Sequence, residues 1–297
     1  MKLSRLALMA VVAGVAVGAQ AGVRLDKIKN TGVLNMGHRD ASIPFSYLDD
    51  NHQPIGYAMD ICYGIVKSLE ENLGKKIQVN LVPVTSATRI PLVQNGSVDL
   101  VCGSATNNPE RQKQVAFAPT TYVAASRFVS VKDDHIHSLE DLKGQTVTSS
   151  AGTSSLKWLN QVNVDQKLEM RVIPAKDHAA GFLNVETGRA KAFFMDDVLL
   201  AGLVANSKDP ARYVINDKAN TVEPYGLIYP KDDVELKALI DDAVIAMMKD
   251  GTVEKLYNKW FMNPIPPKNI NLNLPMSEEL KKVLVNPTSS GDPKDYQ

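Results

Sequence analysis

Val98-Asp99-Leu100-Val101-Cys102-Gly103-Ser104-Ala105-Thr106-Asn107-Asn108-Pro109-Glu110-Arg111 packs a strand, a polar turn and a helix start into one segment. The mostly apolar run over residues 98–101 reads as a buried strand ending at polar residues. Asn as N-cap, Pro at the first helical position and an acid beside it make a helix start. Free backbone N–H groups at such a start, with the Ser104 and Thr106 hydroxyls and the Arg111 fork, suit a carboxylate held bidentately. Taken alone, the segment is better read as a surface cap with a solvated Arg.

The same order recurs along the chain. Residues 33–36 are short and mostly apolar, and Ile77, Val79 and Leu81 alternate with Gln78 and Asn80. Ala151-Gly152-Thr153-Ser154-Ser155 gives a glycine turn, hydroxyls and a second helix start, where Thr and Ser are ordinary caps. Residues 192–195 form another buried run, and Asp196 follows at its carboxyl end, where ligands of open α/β sheets gather. A carboxylate there suits a cation such as an α-ammonium, or else caps the next helix, a part Asp197 can also fill. Between the strands, Ile61, Ile65, Val66, Leu69 and Leu73 recur at helical spacing before Gly74, and Leu236, Leu239, Ile240, Ala243 and Met247 form a second stripe.

Alternating strands and helices predict an α/β fold with mostly parallel sheets. Residues 127–213 contain their own strand and helix series and read as an inserted domain. The flanking segments 120–131 and 214–228 are extended and read as two crossing hinge strands. The expected division is one discontinuous lobe from residues 22–125 and 215–297 and a second from residues 126–214. The proline-bearing tail from Pro264 is expected to wrap a surface and fray after about Val285.

Lys2 and Arg5 precede an apolar run from Leu6 to about Val17, and Ala19-Gln20-Ala21 offers a small-x-small cleavage site. This is the pattern of a signal peptide over residues 1–21, which implies export to the periplasm as a chain beginning at Gly22. The run is shorter than the ~20 residues of a spanning helix, and no Cys follows it to accept a lipid, so no direct membrane insertion is expected. Cleavage removes two of 33 basic residues and no acid, leaving 31 against 33, or −2. That balance gives no footprint for nucleic acid. An oxidising compartment permits a bridge between Cys62 and Cys102, the two cysteines of the chain. Spacing leaves open whether they pair or remain two buried thiols.

There is no glycine-flanked serine elbow, no nucleotide-binding glycine loop and no paired His or Cys at metal spacing except His135-x-His137, which reads as charged surface. No catalytic constellation, cofactor or metal is therefore expected.

Several stretches together resemble the polar amino-acid family of periplasmic solute-binding proteins, most closely its glutamate/aspartate-binding members. They are Gly37-His38-Arg39 with Ile43-Pro44-Phe45-Ser46-Tyr47, Thr85-Ser86 with Arg89-Ile90-Pro91-Leu92, and Gly103-Ser104-Ala105-Thr106-Asn107-Asn108. Glu110-Arg111-Gln112-Lys113-Gln114, Ala175-Lys176-Asp177-His178, Asp196-Asp197 and Lys259-Trp260-Phe261 continue it across the chain after the leader. The resemblance implies a type II two-lobed fold, two α/β lobes joined by two hinge strands, with a ligand enclosed between them.

By that likeness Arg111, Ser104, Thr106 and Thr153 hold an α-carboxylate, Asp196 an α-ammonium, and Arg39, Arg89, His178 and Ser86 a side-chain carboxylate. Ser42 stands where many members place a stacking aromatic ring, which weakens any expectation of stacking, and Ser154 competes with Thr153 for the cap. The implied partners are an acidic amino acid, glutamate or aspartate, and the membrane permease of an ABC transporter, with the protein a monomer. A periplasmic dehydratase on the same fold is the alternative, with His178 its one plausible acid or base.

Overall fold

The computed structural model describes residues 22–296; the expected leader, residues 1–21, lies outside them. Two units of three parallel strands organise the chain. In the first, Val33–His38 lies between Gln78–Pro83 and Leu100–Val101, parallel to both. In the second, Thr146–Ser150 lies between Arg171–Ala175 and Ala192–Asp196, again parallel to both. Parallel neighbours require crossover connections, and the amphipathic segments supply them as helices. Tyr57–Leu73 buries Ile61, Ile65, Val66 and Leu69 and stops at Gly74, whose φ of 63° suits a residue without a side chain.

Each sheet then gains antiparallel edges, so the sheets are mixed rather than mostly parallel. Ile228–Tyr229 runs antiparallel to Leu100–Val101 and Ala116–Phe117. Tyr122–Val131 runs antiparallel to Ala192–Asp196, Tyr213–Ile215 and Thr221–Tyr225. The reason is connectivity: the chain passes between the two sheets through extended segments that enter and return in opposite directions. Where they pair, Tyr122 faces Tyr225 and Ser126 faces Thr221.

Aromatic rings brace this crossing. Phe45 lies 5.0 Å from the Tyr122 ring and 5.2 Å from Tyr225, and Tyr122 stacks 5.0 Å from Phe261. Such pairs add about 0.5–1.5 kcal/mol each beyond the area they bury. Cys62 of the helix Tyr57–Leu73 and Cys102, just past Leu100–Val101, are disulfide-bonded and wholly buried, with Cα atoms 6.2 Å apart. The bond ties that helix to the loop bearing Ser104 and Thr106. No helix among the described residues is long and apolar enough to cross a membrane.

The tail does not fray after Val285. Beyond the helix Glu278–Val285, Thr120 donates its backbone N–H to the Thr288 carbonyl at 2.8 Å, and Asn107 Nδ2 donates to the Ser289 carbonyl at 2.8 Å. The turn Pro293–Tyr296 buries the Tyr296 ring, whose hydroxyl meets Thr120 Oγ1 at 2.8 Å. An aromatic anchor and waiting backbone partners outweigh the entropy of ordering the segment. Replacing Tyr296 by Ala is expected to lower unfolding free energy by about 3 kcal/mol in urea titrations; a change under about 0.5 kcal/mol would mean that the tail is frayed after all.

Candidate functional site

The nine candidate residues share one topological position. Arg39 follows Val33–His38, Ser86 and Arg89 follow Gln78–Pro83, and Ser104, Thr106 and Arg111 follow Leu100–Val101. Thr153 follows Thr146–Ser150, His178 follows Arg171–Ala175, and Asp196 ends Ala192–Asp196. Thus all six parallel strands, three from each sheet, present polar residues at their carboxyl ends, the usual place for ligands in open α/β sheets. Contacts between the two sets bring them into a single cleft.

Arg39, Arg89 and Arg111 are all buried. Arg89 Nη1 donates to the Ser104 carbonyl at 2.7 Å, and Arg111 Nη1 donates to the Thr106 carbonyl at 2.8 Å. Asn108 caps the single turn Pro109–Gln112 by accepting from the Arg111 N–H at 2.9 Å, which fixes where that side chain leaves the backbone. Burial lowers the Arg39 pKa to about 10, and lowers Arg89 well below its usual value with further depression by Arg111 and Arg39. Arg39 Nη1, Arg89 Nε, Ser86 Oγ and Ser104 Oγ are buried with no hydrogen-bond partner among the described residues.

From the second sheet, Thr153 is the cap of the helix Ser154–Asp165. Its hydroxyl accepts from the Leu156 N–H at 3.1 Å and donates to the Ser150 carbonyl at 2.7 Å. Ser154 is thereby released to reach across the cleft, where its Oγ stands 3.1 Å from Thr106 Oγ1. Arg111 Nη2 crosses as well, donating to the Gly152 carbonyl at 3.1 Å. Gly152, at φ +76°, packs so closely that a Cβ there would stand 2.5 Å from Ala87 Cα. The two sheets' loops are in contact, and the cleft is closed.

His178 opens the helix His178–Glu186, with Asp177 as its cap. Arg39 Nη2 lies 3.3 Å from His178 Nε2, and Ser150 Oγ lies 2.8 Å from Nδ1. A guanidinium only donates, so Nε2 accepts and the proton sits on Nδ1, directed at Ser150. Burial, then Arg39 and Arg89, push the ring well below the usual histidine range, so it is neutral. The cationic donors in this corner are therefore two arginines, not three groups.

Asp196 accepts from Ser155 Oγ at 3.2 Å and from the Tyr225 hydroxyl, and makes no cap bond. Asp197 accepts from its neighbour's N–H at Val198, at 2.8 Å. Burial and then Glu223 push Asp196 up to about 8. Glu223, Tyr225 and Ser150 were not singled out from the sequence, and Ser155 only as one of the hydroxyls after the Gly152 turn. Glu223 is buried in the hinge strand Thr221–Tyr225 and its Oε2 accepts from Ser154 Oγ at 2.7 Å. An acid within the run Val222-Glu223-Pro224-Tyr225 was the available signal, masked by reading the segment as a connector. Because Glu223 as a carboxylate only accepts, the Ser154 proton is directed to it, and Thr106 must donate to Ser154.

Counting the buried charged groups alone, three guanidiniums face two acids, Asp196 and Glu223, a formal excess of one positive charge with both acids ionised; exposed Asp40 and Glu110 and part-exposed Asp177 lie nearby. No group of three or more His, Cys, Asp or Glu among the described residues is placed to hold a metal ion.

Two α/β lobes that close a charged cleft between them have the architecture of solute-binding proteins, which enzymes can share. Residues 34–263 match the bacterial extracellular solute-binding proteins, family 3, and the chain is a member of that family. It is 48% identical over 268 residues to the L-glutamate/L-aspartate-binding protein of Pseudomonas aeruginosa, covering 89% of this chain and 88% of that one. It is 46% identical over 268 residues to the glutamate/aspartate import solute-binding protein of Escherichia coli K12, covering 90% and 89%. Among solved structures it resembles an ancestral arginine-binding protein bound to arginine, with TM-score 0.69 and 31% identity over 77% of this chain and 98% of that one.

The His178 geometry has a measurable consequence. A depressed histidine pKa means that the unfolded chain takes up a proton the folded one refuses, so stability falls as pH drops below about 6.5 and is level above it. Imidazole 15N shifts should show His178 neutral and Nδ1-protonated at pH 5.5, whereas titration near 6.5 would contradict this arrangement.

Proposed function

We propose that this protein captures an acidic L-amino acid, glutamate or aspartate, in the periplasm and delivers it to the membrane permease of an ABC transporter. The observation that carries this is the set of buried, unpartnered donors on Arg39, Arg89, Ser86 and Ser104, gathered beside a net positive cleft. Buried donors are almost always hydrogen-bonded, and an unmet one costs about 1–3 kcal/mol. A carboxylate supplies the acceptors and the charge together. The names of the two bacterial relatives point the same way.

In this scheme Arg39, Arg89 and Ser86 receive the side-chain carboxylate, and neutral His178 holds the Arg39 fork in place. Arg111 and the backbone N–H groups around Thr153 receive the α-carboxylate, with Ser104 beside them. Asp196 receives the α-ammonium, and Thr106, whose single proton is directed to Ser154, offers it a lone pair rather than helping the carboxylate as expected from sequence. We place the lobe boundaries near residues 125 and 215, with entry by opening of the two lobes about the paired hinge strands. The leader over residues 1–21 accounts for export. The dehydratase alternative is not favoured, since both His178 nitrogens are engaged and the curated relatives are binding proteins of import systems.

Breaking a buried charge pair costs about 3–5 kcal/mol, and each ~1.4 kcal/mol is tenfold in affinity. In calorimetric titrations Arg89→Met should weaken glutamate by roughly two to three and a half orders of magnitude and glutamine far less. Arg111→Met should weaken both comparably through their shared α-carboxylate. Equal glutamate-to-glutamine ratios in the two variants would refute this division of roles.

A further inference from the structure

Glu223 is a buried acid of the cleft to which the proposed roles give no ligand contact. Its backbone is held firmly. Its strand pairs with Tyr122–Val131, Asn107 donates its N–H to the Pro224 carbonyl at 2.7 Å, and Gly226 donates to the Ala105 carbonyl at 3.0 Å. From that fixed point the side chain meets a residue of the second sheet's unit, Ser154 at 2.7 Å, and through it Thr106 of the first at 3.1 Å. Arg111 lies close enough for Glu223 to be its leading neighbouring acid, and itself crosses to Gly152.

We propose that Glu223 is a closure latch: by fixing the Ser154 hydroxyl it makes the Thr106 to Ser154 hydrogen bond across the cleft, and so sets how long a captured amino acid stays. This rests on the binding function proposed above. A bond to a carboxylate is shorter and roughly twice as strong as a neutral one, and although Ser154 is partly exposed, the Glu223 end of this one is buried. The cross-lobe bond exists only with the lobes together. It therefore slows reopening, the step in which most affinity differences between related complexes arise, and leaves the first encounter with ligand unchanged. Glu223 is a positioning residue, and since it acts on lobe approach rather than on the ligand side chain, it does not rank one acidic ligand over another.

The test is stopped-flow binding of L-glutamate and L-aspartate to wild type, Ser154→Ala, Glu223→Leu and the double variant. Dissociation is expected to quicken about tenfold to a hundredfold in each single variant. Association should stay within about twofold, the glutamate-to-aspartate ratio should hold, and the double variant should dissociate no faster than the faster single one, because the latch is one unit. A merely structural role would instead lower the ligand-free melting temperature, which Ser154→Ala should leave within a few degrees; if Glu223→Leu does not fold, Ser154→Ala alone carries the kinetic test. Unchanged dissociation, or effects that multiply in the double variant, would overturn the latch.

If wild type binds neither acid, the function proposed above fails and the latch is decided in ligand-free protein. There, distances between spin labels at the exposed positions Lys67 and Asn160 are compared for wild type and Ser154→Ala. A smaller closed population in the variant supports the latch, and identical distributions overturn it.

Discussion

Three guanidiniums buried within one cleft are the constraint on which the rest of this structure turns. Burial acts first on each of Arg39, Arg89 and Arg111, and Arg111 and Arg39 depress Arg89 further. Charges so placed persist only when paired and hydrogen-bonded. Asp196 and Glu223 supply two counter-charges and backbone carbonyls at Ser104, Thr106 and Gly152 supply acceptors, yet the sum stays positive. A zwitterion with an acidic side chain carries the one negative charge that completes the balance. A neutral amino acid does not, and a basic one worsens it. The raised pKa of Asp196 belongs to the same account, since two acids sharing a dry site favour a proton or an ammonium between them.

The fold meets this constraint with rigid parts. Six parallel strands end at the cleft, so each charged residue leaves from a strand end or a helix start rather than a long loop. The hinge pairing is clamped by Phe45, Tyr122, Tyr225 and Phe261, and Tyr225 hands its hydroxyl to Asp196. Gly152 lets two backbones approach where any side chain would intervene. The tail braces the far side of the same loop through Asn107, so the segment bearing Thr106 and Arg111 is held from front and back.

Much of this was legible in the sequence, and the limits are physical. The Asn108 cap, the helix start at Thr153 and the strand before Asp196 depend on local rules, and the structure has them. The mixed sheets were missed because antiparallel edges come from which segments meet, a non-local matter. Glu223 was missed because an acid in an extended connector looks solvated until the partner strand covers it. The direction of the Thr106 to Ser154 bond and the proton on His178 Nδ1 follow from partners 28 or more residues away along the chain, which no spacing rule encodes. The ordered end of the chain escaped notice because its prolines suggested fraying, whereas Tyr296 anchors it.

The central claim is that net charge in the cleft selects the ligand. Calorimetric titration of the wild-type protein with glutamate, aspartate, glutamine and arginine tests it most directly. The account predicts that an acidic amino acid binds at least about a hundredfold more tightly than glutamine, and that arginine gives no binding heat. Glutamine bound as tightly as glutamate, or arginine bound at all tightly, would contradict it.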